Sequence, residues 1–225
     1  MGDRHDAGHG RRGGALTYRV LIIGAGGWGR EVLSQMQGDP DCGKAWTVVG
    51  FLDSRPHLLD GLGIDVPIVG DPTTHVKAEG EAYVCAVGDP RARQRYAQPL
   101  LDQGGLFFPI LTNAYMGPRN HIGQGVFLSP RVQLSTDIWL GDFANVHSNT
   151  ILGHDVRVGR YAQIGALTFV GGGARIGDFA TVHPHSTILP GIEVGEGATV
   201  GAGSVVVKNV PAGSTVFGNP ARVIF

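Results

Sequence analysis

From Ile122 to Val210 the chain carries an aliphatic residue at every sixth position. The series runs Ile122, Leu128, Leu134, Leu140, Val146, Leu152, Val158, Ile164, Val170, Ile176, Val182, Ile188, Val194, Val200, Val206 without a break in register. Four residues after each stands a small or β-branched one, such as Val126, Ala144, Thr150, Ala162, Ser186 or Ser204. A helix would turn residues six apart onto different faces, because six is not a multiple of 3.6. Short strands coiling around a shared core bring them all inside. Each hexad then supplies one strand and one turn, with the aliphatic and the small residue both pointing inward. Glycine follows the aliphatic in most steps, so glycine is expected to take the turn. If three hexads close a coil, successive coils stack at about 4.8 Å, the strand spacing. A fixed short period of this kind marks a β-solenoid.

Residues 17–110 alternate strand and helix patterns. Tyr18–Gly24 reads as a buried strand ending at glycine, and Gly29–Met36 as a helix. Thr47–Asp53, Pro67–Val69 and Ala82–Gly88 read as further strands. Asp89 is placed to cap a helix through Arg91–Leu101, with Pro90 at its first position. Such alternation predicts a small parallel sheet with helices on its faces, half of a dinucleotide-binding fold. The expected organisation is a flexible leader over 1–16, a Rossmann-like α/β unit over 17–110, and a β-helix with a terminal cap over 111–225.

Composition narrows the function. The 225 residues are 42% hydrophobic and 16% charged, as in a folded protein. A net charge of −1 leaves no electrostatic footprint for nucleic acid. No apolar run reaches the ~20 residues of a membrane span, so no membrane insertion and a cytoplasmic location are expected. Cys42 and Cys85 stand alone and read as small buried hydrophobes. His5 and His9 fall in the leader; His121 and His185 read as surface residues.

Two motifs carry chemistry. In Gly24–Glu31 (GAGGWGRE), Gly24, Gly26 and Gly29 satisfy G-x-G-x-x-G between a strand and a helix. Backbone amides there can cradle phosphate, with Gly27 and Trp28 on the same turn. Asp53 ends the next strand, where a carboxylate can hold a ribose hydroxyl. In Leu152–Val156 (LGHDV), His154 occupies a turn position beside Asp155, an exposed imidazole and carboxylate suited to general-base work. His147 and His183 follow their aliphatics where glycine is usual. They lie about 10 Å apart if coils hold 18 residues, too far to share one zinc, so no metal site is expected.

This layout resembles the NeuD/PglD-type sugar O- and N-acyltransferases of the hexapeptide-repeat superfamily, whose β-helix is triangular and left-handed. The resemblance rests on GAGGWGRE, the later Phe51-Leu52-Asp53, the His154-Asp155 pair and the closing Gly201–Pro211 and Gly218–Arg222 segments. Trp28 stands where histidine is common, and Ser54 where a second acid is common. The resemblance implies acetyl-CoA as donor, a nucleotide-linked sugar as acceptor, a homotrimer, and direct transfer with His154 as base oriented by Asp155. It places the acceptor near Gly24, Gly26, Gly27, Trp28, Asp53 and His147. It places the donor along Gln163, Gly165, Gly201, Ala202 and Lys208, with Arg222 near its phosphates. Gln163 occupies the place of a second histidine nine residues after the base. Two rival classes are a nicotinamide-dependent oxidoreductase, from the glycine motif, and a non-catalytic β-helix.

Overall fold

The computed structural model describes residues 18–111 and 113–225. The expected leader, with His5 and His9, lies outside them. The first unit is built from β1 (Tyr18–Ile23), α1 (Gly27–Gln37), β2 (Trp46–Leu52), β3 (Ile68–Gly70), β4 (Glu81–Cys85), α2 (Pro90–Asp102) and β5 (Leu106–Phe107). Its strands form one parallel sheet in the order β3-β2-β1-β4-β5. β5 was not expected; it is only two residues long and follows the helix too closely to show a period. Asp89 caps α2 as anticipated, its carboxylate accepting from Ala92 N at 2.6 Å.

The second unit is a three-sided left-handed parallel β-helix. Its first face stacks Tyr115–Met116, Gln133–Leu134, Ile151–Leu152, Phe169–Val170, Thr187–Ile188 and Val205–Val206. The second stacks the strands from His121–Ile122 to Glu193–Val194, and the third those from Phe127–Leu128 to Thr199–Val200. Neighbours on a face pair in parallel, as Ile151 with Phe169 and Leu152 with Val170. The solenoid starts one step earlier than the repeat suggested, because exposed Tyr115 and Met116 have no inward aliphatic neighbour to announce them. An antiparallel hairpin of Thr215–Gly218 and Ala221–Val223 extends the third face and closes the top.

The aliphatic stack is the core, with Leu128, Leu140, Val146, Leu152, Val158, Ile164 and Val170 all at 0% exposure. The turn works differently from expectation. The left-handed residue sits three places after the aliphatic and is often not glycine: Asn149 (φ 59°), Asp155 (φ 60°) and Tyr161 (φ 59°) are examples. Glycine directly after the aliphatic is required by approach between coils instead. A Cβ on Gly165 would lie 2.5 Å from Pro184 N.

The two units are joined by a buried arginine. Arg93, on α2, is wholly buried and has no carboxylate partner among the described residues. It donates to Val87 O (2.9 Å) and Gly88 O (2.8 Å) in its own unit, and to Phe143 O (2.5 Å) and Gln163 Oε1 (2.6 Å) in the β-helix. Burial pulls its pKa down to about 10, so it remains a cation at neutral pH. Beside it Phe143, Tyr161 and Phe179 stack in successive coils at 5.0 and 5.2 Å, and Arg91 of α2 covers Phe179 at 3.8 Å. No helix among the described residues is long and apolar enough to cross a membrane. Arg93→Ala should lower folding free energy by about 2–4 kcal/mol in urea titrations, since it strands several buried acceptors. A change below about 0.5 kcal/mol would mean the junction does not depend on this cation.

Candidate active site

The expected site residues gather on two edges of the prism. The turn from the third face to the first carries His147, Gly165, His183, Gly201 and Ala202. The turn from the first face to the second carries His154, Asp155 and Lys208. Between these edges lies the first face, with Tyr115, Ile151 and Phe169 exposed on it and Leu167, Leu189 and Val207 exposed at its margins.

At the second of these edges His154 Nδ1 lies 2.7 Å from Asp155 Oδ2. A carboxylate only accepts, so Nδ1 carries the proton and Nε2 keeps its lone pair. Asp155 is steered into place by its left-handed backbone and by its amide bond to Thr136 O (3.1 Å). One coil below, Asp137 is taken up by Arg119, which leaves Asp155 to the imidazole. One coil above lies the run Gly171-Gly172-Gly173. A Cβ on Gly172 would meet His154 Nε2 at 2.6 Å, so the bare glycine is what admits the ring. Both His154 and Asp155 side chains are about two-thirds exposed, at 67% and 65%. Lys208 stands on the same edge three coils higher, roughly 14 Å away at one strand spacing per coil.

At the other edge a cavity of about 670 Å³ opens between the units. Glu31 and Gln35 of α1, Gly88, Asp89 and Pro90 at the start of α2, and His147, Ser148, Gln163, Gly165 and His183 of the β-helix line it. Gly88 to Pro90 follow β4, next to β1 in the sheet, where the strand order reverses direction. Crevices of open α/β sheets bind ligands at that place. Trp28 packs edge-on against Phe127 (5.1 Å) and at 5.3 Å from the His147 ring, so it serves the junction between the units. Gln163 is held by Arg93 and reaches His147 Nε2 with its amide nitrogen. Burial, and then the charge of Arg93, lower the His147 pKa to about 4.

The glycine turn forms as expected, with Gly24 at φ 95°. A Cβ on Gly29 would lie 1.9 Å from Gly24 O, so the third glycine serves close packing of helix on strand. Gly26 caps α1, and Gly27 begins it. Asp53 is already engaged: it accepts from Ala25 N (2.9 Å) and from the Arg55 side chain (2.9 Å at each oxygen). Burial pushes its carboxyl up, but the Arg55 and Ala25 bonds outweigh this and hold it below its usual value. Gly201 lies under Phe217 of the closing hairpin. Among the described residues no three His, Cys, Asp or Glu side chains are grouped to hold a metal ion.

Comparison with known proteins matches this geometry to one family. Residues 19–100 match the PglD N-terminal domain, and residues 173–208 match the bacterial transferase hexapeptide family (six repeats). PerB from Caulobacter crescentus, solved with CoA and GDP-perosamine, is 30% identical, with a TM-score of 0.81 over 92% of this chain and 97% of that one. The chain belongs to the PglD-type sugar acetyltransferases of the hexapeptide-repeat superfamily. The acetyltransferase domain of PglB from Neisseria gonorrhoeae, solved with acetyl coenzyme A, is 26% identical (TM-score 0.82, 92% of this chain, 100% of that one). WeeI from Acinetobacter baumannii is 27% identical over the same shares, with a TM-score of 0.67. A search of the curated proteins gave no match. Family membership makes this chain an acetyl-CoA-dependent sugar acetyltransferase, which removes the oxidoreductase and the non-catalytic β-helix as readings.

Gly172→Ala isolates the placement of the imidazole. The clash is with the far end of a mobile side chain, so the ring should swing away at little cost to the fold. Turnover should fall at least about tenfold while thermal stability barely moves, the mark of a misplaced reacting group. Unchanged turnover would show that the ring position over Gly172 is not the working one.

Proposed function

We propose that this acetyltransferase moves acetyl from acetyl-CoA to the amine of a nucleotide-linked amino sugar, with His154 as general base. The observation that carries this reading is the His154–Asp155 pair, in which Nδ1 is held by the carboxylate and Nε2 faces the glycine run of the next coil. PerB, a GDP-perosamine N-acetyltransferase of the same family, supports a nucleotide-linked acceptor. The acceptor would occupy the cavity between the units, with its nucleotide toward Gly24, Gly26, Gly27 and Asp53.

In the reaction the acceptor nitrogen attacks the thioester carbonyl while His154 Nε2 takes its proton. Asp155 stabilises the imidazolium that results. Gly171 N and Gly173 N already donate to Ile188 O (2.9 Å) and His154 O (2.8 Å), so the amide that would support the oxyanion is that of Gly172. Collapse breaks the carbon–sulfur bond, and the imidazolium returns the proton to the CoA thiolate. Transfer is direct. The two cysteines, Cys42 and Cys85, both belong to the first unit, and burial pushes the Cys85 thiol up to about 12.

The cavity and the base stand on different edges flanking one apolar face. Turning that face of each copy toward a common axis would bring the cavity edge of one protomer to the base edge of the next. A contact between unlike edges repeats head to tail and closes as a ring, here a homotrimer. Gly165, Gly201 and Ala202 on one edge, and Lys208 on the other, would then border a single donor groove.

His154→Ala should cut turnover at least about 100-fold, followed by release of CoA thiol across a panel of nucleotide-linked amino sugars, with the oligomer intact. Near-normal turnover would remove His154 from the chemistry. Acetyl-CoA at 100 times its Kd should stabilise the protein by about 2.7 kcal/mol, and no thermal shift would contradict donor binding.

A further inference from the structure

The cavity between the units has a polar lining that the protein leaves incomplete. Arg93 can only donate, so the end of Gln163 that faces it at 2.6 Å is the carbonyl oxygen. The amide nitrogen of Gln163 must then face His147, and it too can only donate. His147 Nε2 is therefore an acceptor, and the ring proton sits on Nδ1. Among the described residues no acceptor is bonded to that Nδ1. On the α1 wall of the same cavity, Gln35 Oε1 is buried and likewise without a partner. A buried acceptor left unmet is rare and costs about 1–3 kcal/mol unless something satisfies it, and this applies to Gln35 Oε1, while half-buried His147 is a cavity-lining side chain.

We propose that Arg93 and Gln163 are positioning residues that set His147 as a neutral Nδ1–H donor for an oxygen of the acceptor. The inference rests on reading the cavity as the acceptor site. The chain of direction runs one way: a fixed cation orients the carboxamide, and the carboxamide orients the imidazole. A histidine set in this way cannot compete with His154 for the proton of the attacking amine. Burial, and then the charge of Arg93, lower the His147 pKa and keep its ring neutral, as an Nδ1–H donor requires. A ligand that offers a lone pair to His147 and an N–H or O–H to Gln35 would complete the lining. A sugar bearing neighbouring hydroxyl or carbonyl oxygens and an amine has that chemistry. Gln163 thereby acts on the acceptor, through His147, rather than on the donor.

The test is Gln163→Glu in the full-length enzyme. A carboxylate accepts where the amide donated, so the His147 proton should move to Nε2. Nitrogen-15 NMR of the imidazole rings, with His147→Asn to assign the signal, reads this without any ligand. Wild type should show the proton on Nδ1, and a proton on Nε2 in wild type would overturn the proposal. Titration with GDP-perosamine then reads the consequence. Its Kd should rise at least tenfold in Gln163→Glu while the Kd of acetyl-CoA stays within twofold. An unchanged acceptor Kd, or a selective loss of acetyl-CoA binding, would also overturn it. If wild type shows the Nδ1 proton yet binds none of a panel of nucleotide-linked amino sugars, the acceptor reading of the cavity falls, and the proposed link from His147 to the acceptor falls with it.

Discussion

A coil of this β-helix must return to its starting point after 18 residues, raised by one strand spacing, as the pairing of Asn145 with Gln163 and Thr181 shows. The backbones of neighbouring coils then touch at the corners, and side chains there survive only where the coil above leaves room. Gly172 leaves that room for His154, whose ring fits beneath it only because the glycine has no side chain. The same return places the carbonyl of Phe143 and the side chain of Gln163 where one guanidinium from α2 reaches both. Coil closure thus governs the fold, the seat of the His154 imidazole and the docking of the first unit.

The junction has an unusual electrostatic character. A buried cation is normally met by a carboxylate, because burial without compensation costs several kcal/mol. Arg93 is instead met by carbonyl oxygens from both units and by the Gln163 carboxamide oxygen. The contact is directional without being neutralised. That suits a joint whose purpose is orientation: it sets α2, the cavity and the β-helix edge in one relation.

Much of this was readable from the chain, and what was not has physical reasons. The hexad register gave the core directly, because inward aliphatics obey one period. Asp89 and Pro90 announced α2 through capping chemistry, and His154 announced itself as a histidine in a turn beside a carboxylate. Arg93 carried no such signal. It lies in Arg91-Ala92-Arg93-Gln94-Arg95, where burial of one arginine among three depends on how the helix docks. The turn chemistry also misled. Glycine suggested positive φ, whereas at Gly165 it answers to the coil above. Trp28 and Gln163 occupy positions where the family resemblance suggested ligand contacts, yet both are engaged by the protein itself. Asp53 is likewise spent on Ala25 and Arg55, a use invisible until the Arg55 side chain folds back.

The central claim is that one protomer's cavity works with another protomer's base. Mixed oligomers test it most directly. His154→Ala lacks the base but keeps the cavity. Gly88→Trp keeps His154 and directs bulk into the cavity that Gly88 lines, since a Cβ there meets nothing within 4 Å. Each variant should be nearly inactive alone. After joint unfolding and reassembly in equal amounts, random mixing of head-to-tail contacts should restore about a quarter of the wild-type sites. Recovery of activity near that level supports a site shared between protomers. No recovery from fully mixed oligomers would place the cavity and the base within one chain and contradict the account.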